Sequence, residues 1–273
     1  MRFLRISLFA VALAAIAACG TTKGTSARSS ENNRRQEKAE ITSIAYSRII
    51  VDDRYDAYRD SSAEKFLKPY TDSIATLLAE KVGEMERSLD NERPESEMGN
   101  LVADIFVWMA DDVVGDTVDF AVVNLGGLRT EFERGPVTFG NVLRVAPFEN
   151  FFVVLTLKGE YVQQLFQQIA SRGGEGVSSE VRLVVDSDDS RQLVAATIGS
   201  KPVSPERQYR IATIDYLAQG GDDMSAFSHK TDYVEPTSRS LIMREVIASY
   251  FRYMSEQGHK VDARREGRIS LQK

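Results

Sequence analysis

The stretch Val118-Asp119-Phe120-Ala121-Val122-Val123-Asn124-Leu125-Gly126-Gly127-Leu128-Arg129 passes from apolar residues to a glycine pair within a dozen positions. The run from Val118 to Val123, bounded by Asp116 and by Asn124 with two glycines, predicts a buried strand that enters a tight turn. That turn presents Asn124 and Arg129. Paired glycines permit positive φ and a close approach of backbone to ligand, and the guanidinium is a planar fork of donors suited to hydroxyls or phosphate. An ordinary hairpin with a surface arginine would look the same, so the motif takes its meaning from its neighbours.

Upstream, Met98 to Val113 predicts a helix whose apolar stripe is Leu101, Val102, Ile105, Trp108, Met109 and Val113, with Trp108 in the core and Asp111 and Asp112 outside. Ser62 to Val82 carries helical spacing at Phe66, Tyr70, Ile74, Leu77, Leu78 and Val82. Pro69 argues for a break there, with the better helix beyond it. Downstream, Phe151 to Leu157 reads as a strand, followed by Gly159 and a helix from Glu160 to Ala170. Strands are expected at Val181 to Val185, Leu193 to Ile198 and Tyr209 to Ile214, and a late helix at Arg239 to Met254. Helices and strands do not alternate regularly, so the expected class is α+β, not doubly wound.

Two more short motifs follow the first. Pro147-Phe148-Glu149-Asn150 stands just before a strand, where Phe148 can project as a stacking plate. Tyr216 follows a strand and precedes Gly220-Gly221-Asp222 by four residues, which puts a second ring and a carboxylate on one loop. Singly, each is also a core phenylalanine or an ordinary turn. Together, two rings, one cation, one carboxylate and two amides on turns that close off strands suit an aromatic base carrying a polyhydroxyl sugar.

This trio resembles the C-terminal domain of the 5′-nucleotidase family. The resemblance runs from about Lys68 to Ile269 and includes Pro69-Tyr70, Pro94-Glu95-Ser96, Gly99-Asn100-Leu101-Val102-Ala103-Asp104 and Gly267-Arg268-Ile269. It implies a single domain folded as a four-layer α/β/β/α sandwich. It further implies that Phe148 and Tyr216 sandwich the base, that Asn124 and Asn150 hold its polar edge, and that Arg129 and Asp222 bind the sugar. The chain departs from the family in three places. Tyr216 stands where phenylalanine is frequent, Asp223 and Met224 where glycine and an aromatic are common, and Glu92, with Arg93 adjacent, where the family has an arginine.

Family enzymes place a two-metal phosphoesterase domain before this one, whereas here about fifty ordinary residues, Ile41 to Asp90, precede the matched core. The chain has two histidines, His229 and His259, without metal-ligand spacing. Acids at Asp52-Asp53, Asp111-Asp112 and Asp186 to Asp189 read as solvated turns or helix faces, and no nucleophile triad suggests itself. The expectation is a nucleotide- or nucleoside-recognition subunit of a split 5′-nucleotidase. It holds no cofactor of its own, and the divalent metals belong to a separate metallophosphoesterase chain. The alternatives are a lipid-anchored nucleotide- or nucleoside-binding protein without catalytic role, or a degenerate domain that serves protein contacts.

Residues 1–18 read as a lipoprotein signal peptide: Arg2 and Arg5, an apolar run from Ile6 to Ala15, then Ile16-Ala17-Ala18-Cys19, similar to a lipobox. Cys19, the only cysteine, would carry the lipid, which excludes an internal disulfide. Residues 19–40 then form the lipidated cysteine and a polar tether, 41–90 an N-terminal helical extension, and 91–273 the family-like domain. The implied address is the bacterial cell envelope, with the outer membrane favoured by Gly20 after the cysteine. Net charge is −6, or −8 once Arg2 and Arg5 leave with the signal peptide, which disfavours nucleic acid as a partner.

Overall fold

The structure, a computed structural model, describes residues 43–55, 59–115, 117–188 and 190–272. The expected signal peptide, Cys19 and tether lie outside the described residues. The described residues divide into two units, one before residue 59 and one from Arg59 onward. In the first, the described stretch holds one 3-10 turn, Asp53–Tyr55, where Asp52 accepts from Arg54 Nε at 2.8 Å.

The second unit begins with α1 (Ser61–Ala79), started by Asp60, whose carboxylate accepts the N–H groups of Ser62 and Ala63. The helix runs through Pro69 without the expected break. None of its side chains is buried, so the carbonyl that loses its partner at the proline remains accessible to water. Val82, expected in this helix, belongs instead to β1 (Lys81–Met85). Next, α2 (Glu97–Val114) starts at Ser96, which accepts from Gly99 N–H, and ends at Gly115 with φ 63°. Trp108 lies at the edge of the core, half-buried against Tyr250 and Tyr253.

β2 (Phe120–Val123) is followed by β3 (Gly135–Thr138), α3 (Phe139–Val145), β4 (Phe152–Lys158), α4 (Gly159–Ser171), β5 (Gly176–Val177) and β6 (Val181–Asp186). Then come β7 (Leu193–Ile198), β8 (Lys201–Pro202), β9 (Gln208–Ile214), α5 (Asp215–Ala218), β10 (Thr231–Val234), α6 (Met243–Glu256) and β11 (Ile269–Gln272). The late helix expected from Arg239 is split. Arg239–Leu241 is a 3-10 turn, Ile242 is extended because it bridges Phe151 in antiparallel fashion, and α6 starts only at Met243.

The fold is a mixed α and β domain, in the α+β class expected, with three sheets among the described residues. A five-stranded sheet has the order β10-β4-β9-β2-β5, a four-stranded sheet the order β11-β6-β7-β8, and β1 pairs with β3. α2 covers β2, β5 and β9, and α4 packs against strands of both larger sheets. Between them Phe106 meets Phe152 edge-on at 5.2 Å and Phe120 meets Phe166 at 5.3 Å. All four rings are fully buried, each contributing about 1.5–3 kcal/mol of apolar transfer.

Strand direction brings the three motifs together. β4 and β9 run antiparallel from Phe152↔Ile214 to Lys158↔Gln208, so the residues before β4 lie beside those after β9. β2 runs parallel to β9, with Phe120↔Ile211 and Ala121↔Ala212, so the turn after β2 emerges at the same end. One edge of the sheet therefore carries Asn124 to Arg129, Phe148 to Asn150, and Asp215 to Asp222.

Candidate functional site

At that edge Asn124, Arg129, Phe148, Asn150, Tyr216 and Asp222 line one cavity of about 420 Å³, together with Gly126 and Gly127. All six candidate side chains are thus neighbours. The turn after β2 is a 3-10 turn, Leu125–Gly127, closed by Gly127 N–H to Asn124 O at 3.2 Å and Leu128 N–H to Leu125 O at 3.0 Å. Asn91 braces it by donating to the Leu125 and Leu128 carbonyls. Arg129 is exposed, its backbone fixed by N–H to Val145 O at 2.8 Å and its guanidinium only lightly held, by Gly126 O at 3.3 Å.

Asn124 is 5% exposed, and its Nδ2 donates to Asp222 Oδ2 at 2.7 Å. Its Oδ1 is buried without a hydrogen-bond partner. Gly127 gives it room, because a Cβ there would sit 2.9 Å from Oδ1.

The two rings are half-exposed, Phe148 at 48% and Tyr216 at 42%, unusual for phenylalanine in a packed domain. Arg244 on α6 anchors the Phe148 loop, donating to Phe148 O at 3.2 Å and to Glu149 Oε1 at 3.1 Å. Arg239 also reaches Glu149 Oε1, at 2.9 Å. Arg244 and Arg239 together hold the Glu149 carboxyl below its ordinary pKa. The backbone of Asn150 accepts from Met243 N–H at 2.8 Å. Asp215 Oδ1 accepts both Phe151 N–H and Tyr216 N–H.

Tyr216 packs on the backbone of Gly221: a Cβ at that glycine would come within 2.5 Å of the ring. Its hydroxyl lies 3.3 Å from Asp222 Oδ1. Asp222 and Asp223 both adopt left-handed backbone, with φ 54° and 59°. Arg172, just after α4, approaches both, at 3.2 Å and 3.8 Å. Desolvation opposes the charge on Arg172, but Glu175, Asp222 and Asp223 outweigh it and raise its pKa. Asp223 is exposed and does not line the cavity, while Met224 is fully buried. Arg93, next to Glu92, turns away to Glu175 at 2.9 Å.

Sequence reasoning missed Arg172, Glu175, Asp215 and Arg244, none of which sits in a motif that signals partners so distant in sequence. Both histidines are exposed and outside the cavity, and His229 stacks on Tyr161 at 3.8 Å. Among the described residues no group of three or more His, Cys, Asp or Glu side chains could hold a metal ion. No described helix is long and apolar enough to cross a membrane.

The family model of the 5′-nucleotidase C-terminal domain matches residues 74–229. Protein UshA of Yersinia enterocolitica is 29% identical over 225 residues, covering 80% of this chain and 38% of that protein. Protein UshA of Escherichia coli is 28% identical over 198 residues, covering 69% and 34%. The crystal structure of a 5′-nucleotidase precursor from Thermus thermophilus superposes with a TM-score of 0.65 at 26% identity, covering 77% of this chain and 43% of that one. The chain thus spans well under half the length of each of these relatives.

Proposed function

The chain belongs to the 5′-nucleotidase C-terminal domain family, and from that premise we propose that its cavity recognises a nucleotide or nucleoside as the substrate-binding subunit of a split 5′-nucleotidase. The observation that carries this reading is the convergence of all six candidate side chains on one cavity of about 420 Å³, a size suited to a small ligand. Phe148 and Tyr216 offer half-exposed rings to a base, and stacking on an aromatic ring contributes about 1–3 kcal/mol per base. Asn124 and Asn150 both line the cavity and hold the polar edge of the base. Asp222 accepts from sugar hydroxyls, and the lightly held Arg129 donates to hydroxyl or phosphate oxygen.

Phosphomonoester cleavage needs divalent metals held by several acidic and histidine ligands. The described residues do not fit that group, so we assign cleavage to a separately encoded metallophosphoesterase that receives the ligand from this chain. Lipidation at Cys19 would hold the pair at the cell envelope, the outer membrane being favoured. Calorimetric titration of the protein with AMP, adenosine and inorganic phosphate, alongside a metal-supplemented phosphatase assay, tests the reading. AMP and adenosine are expected to bind without turnover, and turnover to appear when a metallophosphoesterase partner is added. Absence of binding by both would overturn the recognition role. Turnover by the chain alone would overturn the split. Binding with no partner-dependent turnover would leave a lipid-anchored binding protein.

A further inference from the structure

Glu175 is the most deeply buried carboxylate near the cavity, 1% exposed, yet the six candidate residues do not include it. Its Oε2 accepts Leu125 N–H at 2.7 Å, inside the glycine turn that follows Asn124. Its Oε1 accepts Arg93 Nη2 and Arg172 Nε, both at 2.9 Å. A buried carboxylate persists only when paired and hydrogen-bonded, and this one has two cations and a backbone donor. Arg172 in turn spends all three nitrogens on carboxylates: Nε on Glu175, Nη2 on Asp222 at 3.2 Å and Nη1 on Asp223 at 3.8 Å. The planar guanidinium fork makes that arrangement possible, and a lysine could not reproduce it.

What Arg172 holds is a strained loop. Gly220, Asp222 and Asp223 all have positive φ, at 89°, 54° and 59°, and side-chain-bearing residues occupy that region at a cost. We infer that Arg172, seated on buried Glu175, is a positioning residue that sets the orientation of the Asp222 carboxylate and so makes the cavity selective for ligands with a vicinal diol, ribose above deoxyribose. The inference rests on the nucleoside reading of the cavity. Arg172 does not line that cavity, so it acts through Asp222. Asp222 Oδ2 meets Asn124 at 2.7 Å while Oδ1 faces Arg172 and the Tyr216 hydroxyl. With its rotamer fixed from behind, the lone pairs left over are held toward the cavity, where two adjacent hydroxyls can donate.

The test is calorimetric titration of wild type, Arg172→Gln, Arg172→Lys, Asp222→Asn and the Arg172→Gln/Asp222→Asn double variant with adenosine and with 2′,3′-dideoxyadenosine. Wild type is expected to prefer adenosine. Arg172→Gln should weaken adenosine about fivefold, the upper end for a partly exposed ion pair, with dideoxyadenosine unchanged. Arg172→Lys should fall between, and in the Asp222→Asn background the Arg172 change should add nothing. A merely structural role would weaken both nucleosides alike, and that result overturns the inference, as does a preference that survives in Arg172→Gln or, if that variant does not fold, at full wild-type strength in Arg172→Lys. Wild type that binds neither nucleoside overturns the underlying reading first, and the inference with it.

Discussion

Asp215 and Phe151 hold each other twice: Asp215 N–H donates to Phe151 O at 2.9 Å, and Phe151 N–H donates to Asp215 Oδ1 at 3.0 Å. The same Oδ1 also accepts Tyr216 N–H at 2.8 Å. One carboxylate oxygen therefore ties the strand that follows Phe148 and Asn150 to the residue that carries the second ring.

Removing it should loosen both loops. Asp215→Ala leaves two backbone donors without their acceptor, an expected loss of about 1–3 kcal/mol in stability, read by urea unfolding. Adenosine affinity should fall with it. Asp215→Asn keeps an acceptor and should be milder in both measurements. Wild-type adenosine affinity in Asp215→Ala would show that the rings need no such tie.

Phe148→Ala and Tyr216→Ala should each weaken adenosine by about 1–3 kcal/mol, or roughly 5- to 150-fold in Kd. Because the rings are 48% and 42% exposed, far-ultraviolet circular dichroism and the unfolding midpoint should stay close to wild type. Two variants that bind as tightly as the parent would remove the sandwich.

Gly221→Ala tests the seat of the second ring. The new methyl would lie within 2.5 Å of the Tyr216 ring, closer than packed atoms tolerate, so the ring must move. The expected result is a loss of adenosine affinity close to that of Tyr216→Ala, and no further loss when the two changes are combined. Additive losses would separate the glycine from the ring.

Acid should release the Phe148 loop. Arg244 and Arg239 depress the Glu149 pKa below its ordinary value of 4.5, so the native state binds fewer protons than the unfolded chain in that window. The contribution is complete above 4.5 and is lost as pH falls through the depressed folded value. Urea midpoints of wild type and Glu149→Gln should therefore differ near neutrality and converge in acid. A gap that widens as pH falls would contradict the assignment.

Strands β2, β4, β6, β7 and β9 are legible within a residue or two, because each is an apolar run closed by turn residues. β1, β3, β10 and β11 are not, since their short, partly exposed segments become strands only by pairing with something distant. β11, for example, runs parallel to β6 from Ile269↔Leu183. The three site motifs can be read singly. Their meeting at one edge follows from the antiparallel β4–β9 and parallel β2–β9 pairings, which no local pattern specifies. Glu175 illustrates the limit. Within Arg172-Gly173-Gly174-Glu175-Gly176 it reads as a solvated turn, and it is buried because Arg93, 82 residues upstream, comes to meet it.

The buried Arg268 guanidinium donates to Asp104 across 164 residues of chain, and Gly267 N–H reaches Glu95 across 172. Closing loops of that size costs entropy before any contact rewards it, and topologies rich in such pairs fold slowly. The last strand and the start of α2 must therefore find each other late, over an interval in which the open edge of β6 is free to pair with another chain. Yield on refolding should fall steeply with protein concentration, a kinetic burden set by the architecture itself.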